Sequence, residues 1–217
     1  MKVSTDACIL GAWFARKSRN DQYILDIGSG TGLLMLMTAQ YSGAVVHGIE
    51  IDEPAYNQSL ENLKASPWKE RLEVLHGDVR TFSFAQKYDF IISNPPFFRD
   101  QLHSEADNER VAKHSTMLNF HDLIGAVDGC LALSGSFGIL LPHSRGAEFE
   151  QLASPFLNVT ERMFIRQTPA HENFRVIQLF SRALPEGITE STLTIRDSSG
   201  KYTAEFMALM ENYYLAG

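Results

Sequence analysis

The stretch QYILDIGSGTGLLMLMTAQY, residues 22–41, decides the fold. Its first part, QYILDIG (22–28), is a short apolar run stopped by glycine, the pattern of a buried strand. Its second part, TGLLMLMTAQY (31–41), reads as a mostly apolar helix. Between them stand Gly28, Gly30 and Gly32. Glycines at such a joint let the backbone turn sharply and let a ligand come close to the main chain. The same alternation continues outward. AVVHGIEI (44–51) is a second strand, and EPAYNQSLENLKA (53–65) is a helix with Pro54 in its first turn, where proline is favoured. RLEVLHGD (71–78) is a third strand, and YDFIISNPP (88–96) is a fourth, ended by two prolines that cannot continue a ladder.

A polar stretch at 98–117 shows no clear periodicity and is longer than most ordered connections, so it is expected to be a substrate loop. A helix at 119–132, a strand at 135–142, a helix at 144–154 and strands near 158–166 and 174–181 complete the series. Residues 185–217 add an extension with a turn at DSSG and a helix over 201–214. Phe206, Met207, Met210 and Tyr213 recur there at helical spacing, as core packing requires. Alternating strands and helices imply a parallel sheet covered by helices on both faces. Ligands in such folds bind outside the carboxyl ends of the strands, where the strand order reverses.

Composition narrows the function. The 217 residues are expected to form a single domain, with 44% hydrophobic and 21% charged residues. The net charge of −7, from 19 Lys and Arg against 26 Asp and Glu, argues against a general nucleic-acid coat protein. It leaves room for an enzyme that touches RNA through a local basic patch. Cys8 and Cys130 are read as reduced thiols, and neither they nor the histidines have metal-ligand spacing. The opening MKVSTDACILGAW lacks the apolar stretch of a signal peptide, and no window reaches the roughly 18 apolar residues of a membrane span. A cytoplasmic monomer with no metal and no membrane partner is expected.

The chemistry-bearing residues sit at strand ends. Asp26, Gly28, Gly30 and Gly32 form D-x-G-x-G-x-G, with Leu33 where a nicotinamide-binding loop would place its third glycine. That pattern resembles the first motif of class I methyltransferases. Glu50 ends the second strand, where an acid can accept hydrogen bonds from both hydroxyls of a ribose. Each such bond to a charged acceptor contributes on the order of 1.5–3 kcal/mol. Asp52 is its rival nearby, and the strand register favours Glu50. Asp78, at the end of the third strand, is placed to accept from an adenine amine. Asn94-Pro95-Pro96-Phe97 resembles the signature of methyltransferases that act on planar amines. The lone pair of an aromatic amine is delocalised into its ring. An Asn94 side-chain oxygen and a Pro95 carbonyl that accept its two N–H groups would aim that lone pair at a methyl donor. Phe97 would stack on the ring, a contact of ~1–3 kcal/mol. Displacement by such an amine depends on positioning, so no strong general base is needed.

The opening MKVSTDACILGAW, with LDIGSGTGLL, ASPWKERL, ISNPPFF and the closing YTAEFMALMENYYL, resembles the tRNA adenine-N6 methyltransferase family. That family modifies the adenine 3′ of the anticodon of a valine tRNA. The resemblance implies S-adenosylmethionine as cofactor and tRNA as partner. It implies a Rossmann-like, doubly wound, seven-stranded and mostly parallel sheet whose last strand is antiparallel, with a C-terminal strand and helix extension. It places Thr5 and Asp6 near the methionine end of the cofactor, Asp26 near its amino group, Glu50 at the ribose and Asp78 at the adenine. Asn94, Pro95 and Phe97 would hold the target. Two departures stand out: Phe97 replaces the commoner tyrosine, and family members usually carry a further segment ahead of MKV. Candidates for RNA phosphate contacts are Arg16, Lys17, Arg19, Arg99, Arg110, Lys113 and His114.

Other readings remain at this point. Related methyltransferases act on a release-factor glutamine, but usually carry a helical domain in front. Others act on guanine amines of ribosomal RNA, but often place histidine where Phe98 stands. A cofactor-binding scaffold without catalysis would bind cofactor and show no turnover. A nicotinamide dehydrogenase is disfavoured by Leu33.

Overall fold

The computed structural model describes residues 4–20, 22–95 and 118–213. Eight strands form one sheet: β1 (Tyr23–Ile27), β2 (Val45–Glu50), β3 (Leu72–His76), β4 (Tyr88–Ser93), β5 (Leu131–Pro142), β6 (Asn158–Arg166), β7 (Asn173–Ser181) and β8 (Thr189–Thr194). The helices are α1 (Thr5–Ala15), α2 (Leu33–Tyr41), α3 (Glu53–Ala65), α4 (Phe120–Cys130), α5 (His143–Ala153) and α6 (Ala204–Met210). The strand order is β3-β2-β1-β4-β5-β7-β6-β8. Strands β1 to β5 pair in parallel, and β7 runs antiparallel to both β5 and β6. The chain winds from β1 outward to β3, then returns to place β4 on the other side of β1. The carboxyl ends of β1 and β4 therefore flank the crevice where strand order reverses.

The sheet departs from the expected seven strands. β8 joins it in parallel beside β6, pairing Glu161 with Thr189 through Arg166 with Thr194. Leu193 and Ile195 alternate with threonine and place their side chains in the core beside Met163 and Ile165. The same pairing covers a β6 edge that would otherwise expose unpaired backbone groups. What the sequence presents as an appended strand is thus part of the sheet.

Helix α1 carries no periodic signal because nearly all of it is buried. Ile9, Leu10, Ala12, Phe14 and Ala15 are inaccessible to solvent, as befits a helix apolar all round. Ser4 caps it by accepting a hydrogen bond from the Ala7 N–H at 3.2 Å. Helix α2 packs across it at Gly11, where a β-carbon would lie 2.6 Å from the Met37 sulfur. These helices share one core with α6, while α4 and α5 cover the other face around Phe137, Phe149 and Phe180.

Candidate active site

The glycine loop is built by its own backbone. Gly28, Gly30 and Gly32 have φ of 73°, 56° and 82°, a left-handed region that side chains rarely tolerate. The Gly28 and Ser29 N–H groups both donate to the Ile49 carbonyl, at 2.9 and 3.2 Å, which ties the loop to the end of β2. At Gly32 the strain and the packing coincide, since a β-carbon would lie 2.7 Å from Ser59 Oγ. At Gly28 an added β-carbon would meet nothing within 4 Å, so the loop faces open space there.

Glu50 is 8% exposed and held from two directions. Its Oε2 accepts from the Gly30 N–H at 2.7 Å, and its Oε1 accepts from the Asp52 N–H at 2.9 Å. The carboxylate is thereby oriented and keeps acceptor capacity for a ligand. Asp52 is spent elsewhere, accepting from the Ala55 N–H at 3.0 Å as the cap of α3. The structure so separates the two acids by role. Ile51 stands between them and is 45% exposed, an apolar face beside the oriented carboxylate. Sequence reasoning passed over it; the available signal was an isoleucine directly after a strand-end acid.

Asp26 is the chemical oddity. It lies on β1, is fully buried, and neither carboxylate oxygen has a hydrogen-bond partner. Burial, and then repulsion from Glu50, push its pKa up to about 8. An orphaned buried carboxyl beside a second acid calls for a cation or an N–H donor. The ammonium of an amino-acid group meets that demand, so the loop, Asp26 and Glu50 fit the amino and ribose groups of S-adenosylmethionine.

Asp78 follows β3 in a tight turn. It accepts from Arg80 Nε at 2.9 Å and Arg80 Nη2 at 2.5 Å, and from the Arg80 backbone N–H at 2.9 Å. The Arg80 side-chain hydrogen bond holds its pKa below the usual carboxylate range. A groove of about 780 Å³ begins beside it at Val79 and runs along α4 past Phe82, Asp122 and Cys130, away from the glycine loop.

Strand β4 stops at Ser93, earlier than the two prolines imply, so Asn94 and Pro95 already lie outside the ladder. Ser93 is fully buried, and its Oγ donates to the Ile27 carbonyl at 2.9 Å. Because Ile27 pairs with Ser93, the next residues along, Gly28 and Asn94, emerge side by side from adjacent strands. Adjacent strands are ~4.8 Å apart. Asn94 is half-buried, and its side chain makes no hydrogen bond to another described residue. Pro95 is buried. Phe97, Arg99, Arg110, Lys113, His114 and the expected loop at 98–117 lie outside the described residues.

The first turn of α1 reaches the same edge of the sheet. Thr5 is exposed, and Asp6 Oδ2 accepts from Arg175 Nε at 2.9 Å, where Arg175 pairs with Pro142 at the end of β5. The other end of α1 leads into the start of β1 and lies at the opposite edge. There Arg16 donates to the Ala208 carbonyl. Lys17 pairs with Glu161 at 2.6 Å and lies 4.5 Å over the Trp13 ring. Arg19 is exposed in the same region. The structure brings together the glycine loop, Asp26, Glu50 and Asn94, and does not bring Arg16, Lys17 or Arg19 to them.

Residues 9–122 match the family described as the methyltransferase small domain. The tRNA1(Val) (adenine(37)-N6)-methyltransferase of Dyadobacter fermentans is 37% identical over 99% of this chain and 91% of its own length. The enzyme of the same name from Pseudoalteromonas translucida is 37% identical over 99% and 92%. Among solved structures, a predicted O-methyltransferase of Agrobacterium tumefaciens superposes with a TM-score of 0.77 at 17% identity, covering 98% of each chain. A glycopeptide N-methyltransferase complexed with sinefungin gives 0.60 at 14% identity, covering 84% of this chain and 89% of that one, and shares the fold. With relatives aligned over nearly its whole length, the chain belongs to the tRNA1(Val) (adenine(37)-N6)-methyltransferase family.

Proposed function

We infer that the chain transfers a methyl group from S-adenosylmethionine to the exocyclic N6 amine of the adenine next to the anticodon of a valine tRNA. Residues 1–217 act as one methyltransferase domain, as a cytoplasmic monomer, with 98–117 as the substrate loop. Among the described residues no helix is long and apolar enough to cross a membrane. The observation that carries the reading is the emergence of Asn94 beside Gly28 at the point where strand order reverses. This sets an amine-holding group against a cofactor loop.

S-adenosylmethionine, when bound, supplies a methyl group on a positively charged sulfur. The residues of the chain do the rest by position. Asp26 takes the ammonium, Glu50 the ribose hydroxyls and Asp78 the adenine amine of the cofactor. Ile51 offers an apolar face to that adenine ring. The Asn94 side-chain oxygen and the Pro95 carbonyl accept the two N–H groups of the target amine. The lone pair is drawn out of the ring and aimed in line. A base inside a helix would have to be flipped out at a cost of a few kcal/mol, and a loop adenine costs less to present. Phe97 stacks on the target ring. Ser93, bonded to Ile27, holds Asn94 at a fixed height above the glycine loop.

The test is methyl transfer from labelled S-adenosylmethionine to unmodified tRNA, ribosomal RNA, DNA and release factor in parallel, with digestion and mass spectrometry. N6-methyladenosine in valine tRNA is the expected product. Label in ribosomal RNA or protein would overturn the substrate and keep the chemistry. Cofactor binding without any transfer would overturn catalysis.

A further inference from the structure

Two arginines at one end of the sheet have no acid among the described residues to answer them. In the parallel β6–β8 ladder, Arg162 lies opposite Glu190, Phe164 opposite Thr192 and Arg166 opposite Thr194. Side chains two apart share a face, so Arg162 and Arg166 project on the side of α5. Arg196 follows a bend at Ile195, where the Ile195 and Arg196 N–H groups donate to the consecutive carbonyls of Arg166 and Gln167, so it stands at the same end of the sheet but outside that row. Arg162 is fully answered, with Glu150 and Glu190 each at 2.6 Å. Arg166 instead donates through Nε to Thr194 Oγ1 at 2.8 Å. Arg196 donates to the Gly200 carbonyl at 2.7 Å and lies 4.2 Å over the Tyr202 ring. Neither has a carboxylate within 4.0 Å among the described residues. Both are half-buried, so the fold orients them.

The surroundings carry both signs of charge. His143 opens α5 on the same face, exposed and packed edge-on to Phe164 at 5.5 Å. Lys201 is exposed in the turn after Arg196. Of the nearby acids, Asp6 is taken by Arg175, while Asp197 accepts from the Ser199 hydroxyl and from the N–H groups of Ser199 and Lys201, which hold its pKa below the usual carboxylate range and keep it charged. Glu172 is exposed in the β6–β7 turn.

We propose that Arg166 and Arg196 form the docking surface for phosphates of the substrate RNA, with His143 and Lys201 at its margin. The proposal rests on the reading of the substrate as RNA. A guanidinium fork matches phosphate oxygens in pairs, and a fork already held by a hydroxyl or a ring loses little freedom on binding. Hydroxyl and carbonyl partners position the fork and leave its charge uncancelled. The strand order puts β6 three positions and β8 four positions beyond β4. At ~4.8 Å per strand β6 and β8 stand about 14 and 19 Å from β4, a separation that phosphates flanking a splayed base can span. In a chain of net charge −7 a patch of this kind also sets direction, since most of the surface repels the polyanion.

The test measures tRNA affinity at several salt concentrations for the full chain, Arg166→Gln with Arg196→Gln, the charge-keeping Arg166→Lys with Arg196→Lys, and Lys64→Gln with Lys69→Gln as a matched loss of charge at the far end of the sheet. The glutamine pair is expected to weaken tRNA binding about tenfold or more and to lower the salt slope by roughly one unit per arginine. Its cofactor affinity, read by calorimetry, is expected to stay unchanged, and the lysine pair to restore the salt slope but only part of the tRNA affinity, since an ammonium keeps the charge without the fork. An unchanged affinity or salt slope in the glutamine pair overturns the proposal, as does an equal loss in the Lys64 and Lys69 variant. If the glutamine pair loses cofactor binding as well, the lysine pair decides: restored cofactor affinity without a restored salt slope overturns it. A full chain that binds and methylates tRNA while the glutamine pair does so equally well removes the surface and keeps the function. A full chain that neither binds nor methylates tRNA removes both.

Discussion

The two halves of the sheet's functional edge are electrostatic opposites. On the β1–β3 side it carries Asp26, Glu50 and Asp78; on the β6–β8 side it carries Arg166, Arg175 and Arg196. Asn94 leaves β4 between them. The acids turn inward, Asp26 and Glu50 being buried, and call for a small cationic, hydroxyl-bearing ligand. Arg175 is answered by Asp6, while Arg166 and Arg196 are half-buried and call for an extended anion. A net charge of −7 averages over both fields and describes neither. One edge can thus hold a positively charged cofactor and a polyanionic substrate a few strands apart, with the reacting amine at the seam.

The strongest way to break this picture is at the seam. Asn94→Ala is expected to lower single-turnover methyl transfer by 10²–10³-fold, since a positioned hydrogen-bonding group is removed. Cofactor affinity by calorimetry should change less than about twofold; a collapse of binding would move Asn94 into the acidic half. Next, Glu50→Gln keeps the shape and places an amide N–H against one of two backbone donors. Cofactor affinity is expected to fall about a hundredfold, consistent with losing charged hydrogen bonds of ~1.5–3 kcal/mol each. Equal affinity in the variant would return the ribose role to another residue.

Asp26 sharpens the comparison through pH. Its pKa, ordinarily near 3.8, is raised to about 8 in the folded chain. Between those values the folded state keeps a proton that the unfolded chain has released. Its contribution to stability is therefore full below about pH 4 and is lost as pH rises through 8. Asp26→Asn should remove that slope, raise the Tm of the ligand-free protein by several degrees near pH 8, and weaken cofactor binding about tenfold. In the unaltered chain, cofactor affinity should rise with pH up to about 8, and binding below it should release a proton, seen as buffer-dependent heat. A flat profile would place the ammonium elsewhere. The smallest effect is expected from Lys17→Gln, at the opposite edge from the reacting centre. Loss of its partly exposed pair with Glu161 should cost no more than about 1 kcal/mol in denaturant unfolding and change tRNA affinity less than about twofold.

The acidic half was legible because its rules are local. Three positive-φ glycines after a buried strand need no knowledge of distant residues, and an acid at a strand end points where the strand points. Helix α1 escaped because a helix buried on all sides has no polar face to give it a period. Strand β8 read as an extension because its residues before Leu193 are polar and mostly exposed, and its place in the sheet depends on the open edge of β6. The cations near α1 were sought for their charge and their nearness to the opening motif. Arg16 and Lys17 follow Thr5 by only about a dozen residues, yet a helix carries them to the other edge.

From the sequence alone come the glycine loop and the strand-end acids, since each follows from backbone conformation within a few residues. Packing across the sheet decided that Glu50 is buried and oriented by two backbone N–H groups while exposed Asp52 caps α3, and that among the described residues Asp26 has no hydrogen-bond partner and Arg166 and Arg196 no carboxylate within 4.0 Å. Those facts depend on which strands lie side by side, in which direction and in what register, and that is fixed by packing between segments far apart in the chain.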